Sequence, residues 1–270
     1  MTVWHAQALA GSLAAVLPGL SVEVLPEIDS TNTELMRRVR AGQTGPCLLV
    51  AERQTAGRGR MGRQWQSGSA PNSTVDGLVA APWPSLTFSL GVALEPQSWS
   101  GLSLAVGVAI ARSLHPRLGL KWPNDIWFEG RKLAGILIET ASTAHGRQAV
   151  IGVGINITPR DATGLSTPPT CLQELLPGIT ATAALQRVAP ALVQAVMLFE
   201  AQGFAPFRDA FGRCDSLLAQ QVTLSDGRCG TARGVDEAGG LLVHTSAGMQ
   251  TVTSAEVSVR PSGDTAGTSS

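Results

Sequence analysis

The sequence predicts an α+β fold: a mixed, mainly antiparallel sheet with flanking helices, followed by a small C-terminal β-barrel. Three patterns carry this expectation. Residues 118–157 hold four apolar runs separated by short polar turns, as in a meander of paired strands. Helical stretches stand between strands at 34–40, 102–114 and 183–199. From Asp215 onward the chain consists of short β-type runs with Gly-containing turns, the texture of a small barrel.

Residues 9–17, ending at Pro18-Gly19, read as a short helix with a stop. Residues 21–25 alternate as a strand does. Asp29-Ser-Thr-Asn32 precedes a helix over 34–40, with Ser30, Thr31 or Asn32 as its cap and Arg37, Arg38 and Arg40 gathered near its end before Gly42. Residues 47–51 form a short apolar strand that leads into an Arg/Gly loop. Residues 66–85, rich in Gly, Ser and Pro, read as a mobile surface insertion. A strand resumes over 86–94, and 102–114 is an apolar segment of helical length. Strands follow over 118–122 and 126–128. A tight turn at Glu129-Gly130 leads to a strand over 132–139, and a loop at His145-Gly146 returns the chain over 149–157. A Pro-rich loop fills 158–170, and 183–199 is a long helix. Short strands at 222–224, 231–236, 241–244 and 251–253 are divided by turns at Asp226-Gly227, Ala238-Gly-Gly240 and Ala247-Gly248. The expected division is a catalytic domain over 1–214, a small barrel over 215–261 and a disordered tail over 262–270.

Composition narrows the function classes. Twenty basic and twenty acidic residues balance, so no global field draws the chain to DNA, RNA or an anionic membrane. With 15% charged and 44% hydrophobic residues it suits a compact enzyme. Cys47, Cys171, Cys214 and Cys229 are scattered, without a C-x-x-C pair or a His at ligand spacing. They read as free thiols in a reducing compartment, and no metal site made by protein side chains is expected. The N-terminus lacks the basic region of a signal peptide, and no uninterrupted apolar run approaches the length of a bilayer span, so a cytoplasmic location without a membrane segment is expected.

The chemistry concentrates in a few strings. Ala56-Gly-Arg-Gly-Arg-Met-Gly-Arg-Gln-Trp65 places Arg58, Arg60 and Arg63 among Gly57, Gly59 and Gly62, with no acid inside the run. Glycine permits close backbone approach, and arginine presents a planar fork to carboxylates and phosphates. The glycines satisfy G-x-G-x-x-G, but Gln66-Ser-Gly-Ser-Ala-Pro-Asn-Ser73 cannot open the helix that a dinucleotide fold requires. A phosphate-gripping loop and a solvated basic loop both remain compatible with the run itself. Lys121 stands before Trp122-Pro123, where the backbone is held extended. It serves either as a compact charge on a transferring phosphoryl group or as a snorkelling lysine at a sheet edge. Asn124 and Asp125 read first as turn residues. Gly152 and Gly154 share one face of a β-branched strand with Asn156, which marks either a β-bulge or the close approach of a ligand or another chain segment. Gly135 in the partner strand is compatible with both. No Ser-His-Asp or Cys-His arrangement suggests a nucleophile.

Five strings taken in order, Asp29-Ser-Thr-Asn32, Gln54-Thr-Ala-Gly-Arg-Gly-Arg60 with Gly62-Arg-Gln-Trp65, Lys121-Trp-Pro-Asn-Asp-Ile126, Arg131-Lys-Leu-Ala-Gly-Ile-Leu-Ile-Glu139 and Gly152-Val-Gly-Ile-Asn156, resemble the biotin–protein ligases over residues 20–260. Gly234-Val-Asp-Glu237 and Glu256-Val-Ser-Val-Arg260 extend the likeness. The resemblance implies a class II synthetase-like catalytic domain with an SH3-like barrel. It implies that ATP activates biotin as biotinyl-adenylate with the help of Mg²⁺, and that a lysine in the biotin carrier domain of a carboxylase then takes the acyl group. By the same resemblance Lys121, Arg58 and Arg60 are the catalytic cations. Ser30, Thr31 and Gln54 bond the ureido ring, and Asn32, Gly57, Arg58, Arg60 and Lys121 complete the biotin site. Gly152 and Gly154 leave room for the valeryl chain. Arg58, Arg60, Arg63, Trp65, Asn124, Lys132 and Asn156 face ATP and the adenylate.

The departures are specific. Met61 stands where the family usually has a third arginine, the 66–85 insertion is long, and Ala255 replaces a common glycine. Thr167-Pro-Pro-Thr170 offers no aromatic to stack on adenine. Some family members carry an N-terminal winged helix, whereas here only residues 1–20 precede the first strand, so no DNA-binding activity is expected. Relatives occur as monomers and as homodimers, and either state is compatible. A lipoate–protein ligase or octanoyl transferase shares the architecture and is the nearest rival. A nucleic-acid-binding module, the rival from another class, lacks net positive charge and interleaved aromatics.

Overall fold

Strand alternation sets the architecture of the computed structural model, which describes residues 4–67, 74–75, 78–79, 83–144, 146–162, 167–253 and 259–261. The predicted tail over 262–270, His145, residues 163–166 of the Pro-rich loop and residues 254–258 lie outside the described residues, as does much of the 66–85 insertion.

The main sheet takes strands in the order β1-β2-β5-β9-β8-β7-β6. These are β1 (Ser21–Ile28), β2 (Cys47–Gln54), β5 (Ser85–Ala93), β6 (Gly119–Lys121), β7 (Asp125–Phe128), β8 (Arg131–Thr143) and β9 (Gly146–Asn156). Two short strands, β3 (Thr74–Val75) and β4 (Leu78–Val79), pair within the insertion. Only β1 and β2 run parallel; the other neighbours in the main sheet are antiparallel. The parallel pair needs a crossover, and α2 (Thr31–Arg40) supplies it.

Side-chain alternation divides the sheet into two faces. Leu48 and Val50 of β2, Leu86, Phe88 and Leu90 of β5, Ile136 of β8 and Ile151 and Val153 of β9 enter the large core. Helices α1 (Ala6–Leu13), α3 (Leu102–Leu114) and α4 (Ala181–Gln202) cover that face. The opposite face carries Thr87, Ser89, Gly135, Gly152, Gly154 and Asn156. It is only partly covered, by α2, whose Leu35 and Met36 pack on Cys47, Leu49 and Val150. The uncovered remainder of this face is where a ligand can reach the strands.

Among the described helices, α4 alone has the length and apolar composition of a bilayer span. Its Leu185, Val188, Leu192, Val193, Val196 and Phe199 are fully buried in the core. Such burial contributes about 1.5–3 kcal/mol per large apolar side chain. Packing within the fold therefore accounts for its composition.

Several boundaries differ from expectation. The first helix spans Ala6–Leu13, because the chain from Ala14 to Leu20 is held in successive turns that bury Leu17 and Leu20. Strands β8 and β9 extend well beyond the apolar runs, since their polar outer ends still pair in register from Thr140–Ala149 to Thr143–Gly146. Strand 118–122 shortens to Gly119–Lys121, and the Trp122–Pro123 bond after it is cis.

The C-terminal unit follows α5 (Arg208–Gly212). It is an antiparallel sheet ordered β13-β12-β11-β10-β14, from β10 (Gln221–Leu224), β11 (Cys229–Val235), β12 (Leu241–Thr245), β13 (Gly248–Val252) and β14 (Val259–Pro261). The last strand adds one to the four expected. The buried indole of Trp122 donates from Nε1 to the carbonyl of Gly239 at 3.0 Å, tying the KWPND segment to this second sheet.

Candidate functional site

A cavity of about 530 Å³ opens on the uncovered face of the main sheet. Strand ends β2, β6, β7, β8 and β9, the N-terminus of α2 and the Arg/Gly loop form its walls. Ser30, Thr31, Asn32, Gln54, Arg58, Arg60, Arg63, Trp65, Lys121, Asn124, Lys132, Gly152, Gly154 and Asn156 all line it. Residues expected from five separate strings are thus brought to one place.

One wall is a chain of hydrogen bonds among neutral side chains that ends on the Glu139 carboxylate. Ser30 is the N-cap of α2, its hydroxyl accepting from the Thr33 amide at 3.4 Å. The Thr31 amide donates to Gln54 Oε1 at 2.8 Å, and Gln54 Nε2 donates to Ser67 Oγ at 3.4 Å, which leaves one carboxamide N–H as a donor. Thr31 Oγ1 lies 2.7 Å from Ser89 Oγ, and the Ser89 hydroxyl donates to Asn32 Oδ1 at 2.6 Å. Asn32 Nδ2 donates to Leu137 O and to Glu139 Oε2, at 3.2 and 3.0 Å. Ser30, Thr31, Asn32 and Ser89 are buried, so these bonds fix rotamers in a low-dielectric setting. Asn32 spends both ends of its amide on the protein.

The other wall is cationic. Lys132 Nζ lies 2.7 Å from Asp125 Oδ1, over the backbone of Gly135. Arg60 Nη1 donates to Asn124 Oδ1 at 3.3 Å, and Asn124 Nδ2 is anchored on Ile136 O at 2.8 Å. Burial pushes the Arg60 guanidinium below its ordinary range; Asp125 opposes that shift and Arg63 adds to it. Lys121 places its ammonium 4.6 Å from the Trp127 ring centroid. Arg58 Nη1 is 3.1 Å from Glu139 Oε1.

The glycines on β9 are required by close approach. Ladders through Gly152 and Gly154 run without a register shift on both sides, so the bulge reading is set aside. A Cβ at Gly152 would lie 2.8 Å from Asn32 Cγ, and one at Gly154 would lie 2.5 Å from Trp65 Cζ2. The space expected for a valeryl chain above Gly154 is thus taken by an indole, and that above Gly152 by the Asn32 amide. Gly57 does not line the cavity: it is packed under the loop, where a Cβ would meet Gln54 Nε2 at 2.9 Å. A single 3₁₀ turn, Arg60–Gly62, follows the glycines in place of the helix of a dinucleotide fold, with Met61 in the left-handed region at φ 55° and largely exposed.

Four participants were missed from sequence. Arg160 donates to Asn156 Oδ1 at 2.8 Å and to Gln66 Oε1 at 3.3 Å, and its guanidinium stands 5.7 Å from the Trp65 ring centroid. Burial lowers its pKa from the ordinary value. Trp65 itself is wedged between Gly154 and Arg160, and its buried Nε1 has no partner among the described residues. Asp125 holds Lys132 through Oδ1 at 2.7 Å. Ser89 and Glu139 complete the polar wall. Only Asp125 and Glu139 stand within the quoted motifs; Ser89 and Arg160 reach the site through tertiary pairing.

Residues 24–156 match the biotin/lipoate A/B protein ligase family, and residues 220–260 match the biotin protein ligase C terminal domain. The chain is 34% identical over 256 residues to the bifunctional ligase/repressor BirA of Escherichia coli, covering 90% of this chain and 75% of that protein. It is 33% identical over 249 residues to the biotin–[acetyl-CoA-carboxylase] ligase of Paracoccus denitrificans, covering 87% and 98%. Among solved structures, biotin protein ligase from Aquifex aeolicus in complex with biotin and ATP superposes with a TM-score of 0.73 at 27% identity, over 89% of this chain and 99% of that one.

Proposed function

The chain belongs to the biotin/lipoate A/B protein ligase family, and from that premise we propose how its residues divide the work of one reaction. The enzyme activates biotin with ATP and transfers it to a protein lysine. The biotin carboxylate attacks the α-phosphorus of ATP and releases pyrophosphate. The amine of the acceptor lysine then attacks the acyl carbon of the adenylate, releasing AMP and a proton.

The observation that carries the division of roles is the two-walled cavity. Ser30, Thr31 and Gln54 offer neutral, pre-oriented hydrogen bonds suited to a ureido ring. Asn32 acts by holding that wall, since its own amide is fully engaged. Lys132 is the cation for the reacting oxygens: its ammonium sits over the Gly135 backbone in the shared cavity, where carboxylate and phosphate meet. Arg58, Arg60 and Lys121 share the negative charge that shifts toward pyrophosphate, and Arg63 with Asn124 and Asn156 completes the nucleotide side. Trp65 presents its indole to the base. Fixed cations of this kind replace a protein nucleophile, because the substrate carboxylate is itself the nucleophile. Closing the loop over the adenylate excludes water from a reactive anhydride.

Mg²⁺ fits this site as a companion of ATP rather than as a caged ion. Among the described residues no three His, Cys, Asp or Glu side chains converge, and the cavity carboxylate Asp125 is engaged by Lys132. A small octahedral ion is held largely by phosphates and water, and it would supply charge neutralisation there. We further assign residues 1–214 to the ligase domain and 215–261 to the barrel. We take the acceptor to be the biotin carrier domain of a carboxylase and the setting to be the cytoplasm.

Incubation with labelled biotin, ATP and a carrier domain tests the proposal. Label should enter the carrier, with AMP and pyrophosphate released, and lipoate should not substitute. Incorporation of lipoate in place of biotin would overturn the reading. Calorimetry should show biotin binding more tightly once ATP is present.

A further inference from the structure

Glu139 lies on the site face of β8 and serves two distant partners at once. Oε1 is 3.1 Å from Arg58 Nη1 in the Arg/Gly loop, and Oε2 accepts from Asn32 Nδ2 at 3.0 Å at the start of α2. The carboxylate is mostly buried, at 23% side-chain exposure, whereas Arg58 is 51% exposed.

Asn32 cannot turn aside to release it. Its Oδ1 receives the Ser89 hydroxyl, its Nδ2 also reaches Leu137 O, and its side chain is pressed against the Gly152 backbone, where a Cβ would lie 2.8 Å from Cγ. The Asn32 bond therefore sets the rotamer of Glu139 and aims its second oxygen at the loop. A continuous polar chain results, from Gln54 through Thr31, Ser89, Asn32 and Glu139 to Arg58.

We propose that Glu139 is a positioning residue that couples the polar wall of the biotin pocket to closure of the Arg/Gly loop. The inference rests on the functional reading above and names the residue by which its two halves communicate. One end of the chain is rigid and buried, and the other is a half-exposed ion pair. Exposed ion pairs are weak, so the loop is latched and not locked. Loss of the latch speeds escape of the adenylate without touching the ureido contacts.

Glu139→Gln separates the two functions of this side chain. The amide oxygen still accepts from Asn32, but the amide nitrogen meets Arg58 as one donor facing another. Release of labelled biotinyl-adenylate without acceptor should accelerate by about threefold to tenfold, the effect of removing a partly exposed ion pair. The dissociation constant for biotin alone should stay within about twofold. Glu139→Ala, which loses both contacts, should raise both quantities. Added to the Glu139→Gln variant, Arg58→Ala should speed adenylate release by less than it does in the wild type, the remainder being Arg58's own contact with the adenylate. Wild-type release rates in Glu139→Gln, or a full further increment from Arg58→Ala, would overturn the coupling. Absence of any adenylate in the wild-type enzyme would instead overturn the functional reading itself.

Discussion

Gly154→Ala tests whether the two substrates occupy separate parts of the cavity. A Cβ at this position would lie 2.5 Å from Trp65 Cζ2 and 2.8 Å from Nε1. Carbon contacts become favourable only near 3.5 Å, so the indole must retreat by about 1 Å. Its retreat is opposed on both sides. The Trp65 amide is bonded to Gly57 O at 2.9 Å, and the Arg160 guanidinium stands 5.7 Å from the ring centroid. Overpacking of this kind costs about 1–3 kcal/mol. At 1.36 kcal/mol per tenfold, the KM for ATP rises about 5- to 150-fold. The biotin wall is untouched, so the KM for biotin stays within about twofold. Gly152→Ala should do the converse, because its Cβ meets Asn32. Pyrophosphate release, measured with each substrate varied in turn and with melting temperatures alongside, reads both. A Gly154→Ala enzyme whose biotin KM climbs as steeply as its ATP KM would refute the division.

Lys132→Met should lower kcat for adenylation by about 10²–10³, with a far smaller change in melting temperature. A loss below tenfold would move the central charge to Lys121, and Lys121→Met would then show the larger defect. Burial pushes the Asp215 carboxyl up, against the pull of the Leu217 and Leu218 amides, and its Oδ2 is buried without a partner among the described residues. The folded protein therefore keeps this proton to higher pH than the unfolded chain does. The stability it contributes is complete below the unfolded value near 4 and is lost as pH rises through the folded value. Asp215→Asn should melt close to wild type at pH 4 and above it at pH 7; a gap that stays constant across that range would contradict the assignment. Thiol chemistry offers a fourth check. Burial raises the Cys47 and Cys171 thiols and pushes Cys214 up to about 11, while Cys229 is exposed. One fast-reacting thiol per native chain is expected with an aromatic disulfide reagent at pH 8, and Cys229→Ser should remove it.

The legible parts of this fold were those written in local pattern. The Ser30 cap, the helix at Leu102–Leu114, the Glu129-Gly130 turn and the glycine turns of the C-terminal sheet follow from residues within a few positions of one another. The paired glycines of β9 were legible as a close approach, but not what approached them. Trp65 reaches Gly154 only because the loop between them folds back through the Gly57–Trp65 hydrogen bond. Arg160 sat in a loop with no periodic signal, and its role depends on Asn156 and Gln66, the latter far away in sequence. Lys121 drew attention because of its stiff neighbour Pro123, yet Lys132, 2.7 Å from Asp125, lines the same cavity. A sequence shows that a cation is available; only the folded strands show which one stands over Gly135.

The same fold explains how a pocket for two anions remains stable within the protein itself. Lys132 rests on Asp125, Arg58 on Glu139, Arg60 on Asn124 and Arg160 on Asn156. Without these partners a partly desolvated cluster of like charge would repel itself; burial already lowers the pKa of Arg60, and neighbouring Arg63 adds to that. For Lys132, Arg60 and Arg160 each partner is a single carboxylate or a neutral amide, so a polyphosphate offering more charge can displace it with little reorganisation, whereas the Arg58–Glu139 pair stays as the loop latch. Exposure ranks the exchanges. The Arg58–Glu139 pair is the more open, at 51% and 23% side-chain exposure, and the Lys132–Asp125 pair the more enclosed, at 29% and 16%. Screening weakens the first more than the second. Added salt therefore loosens the Arg58 latch first, while the Lys132–Asp125 pair above Gly135 holds.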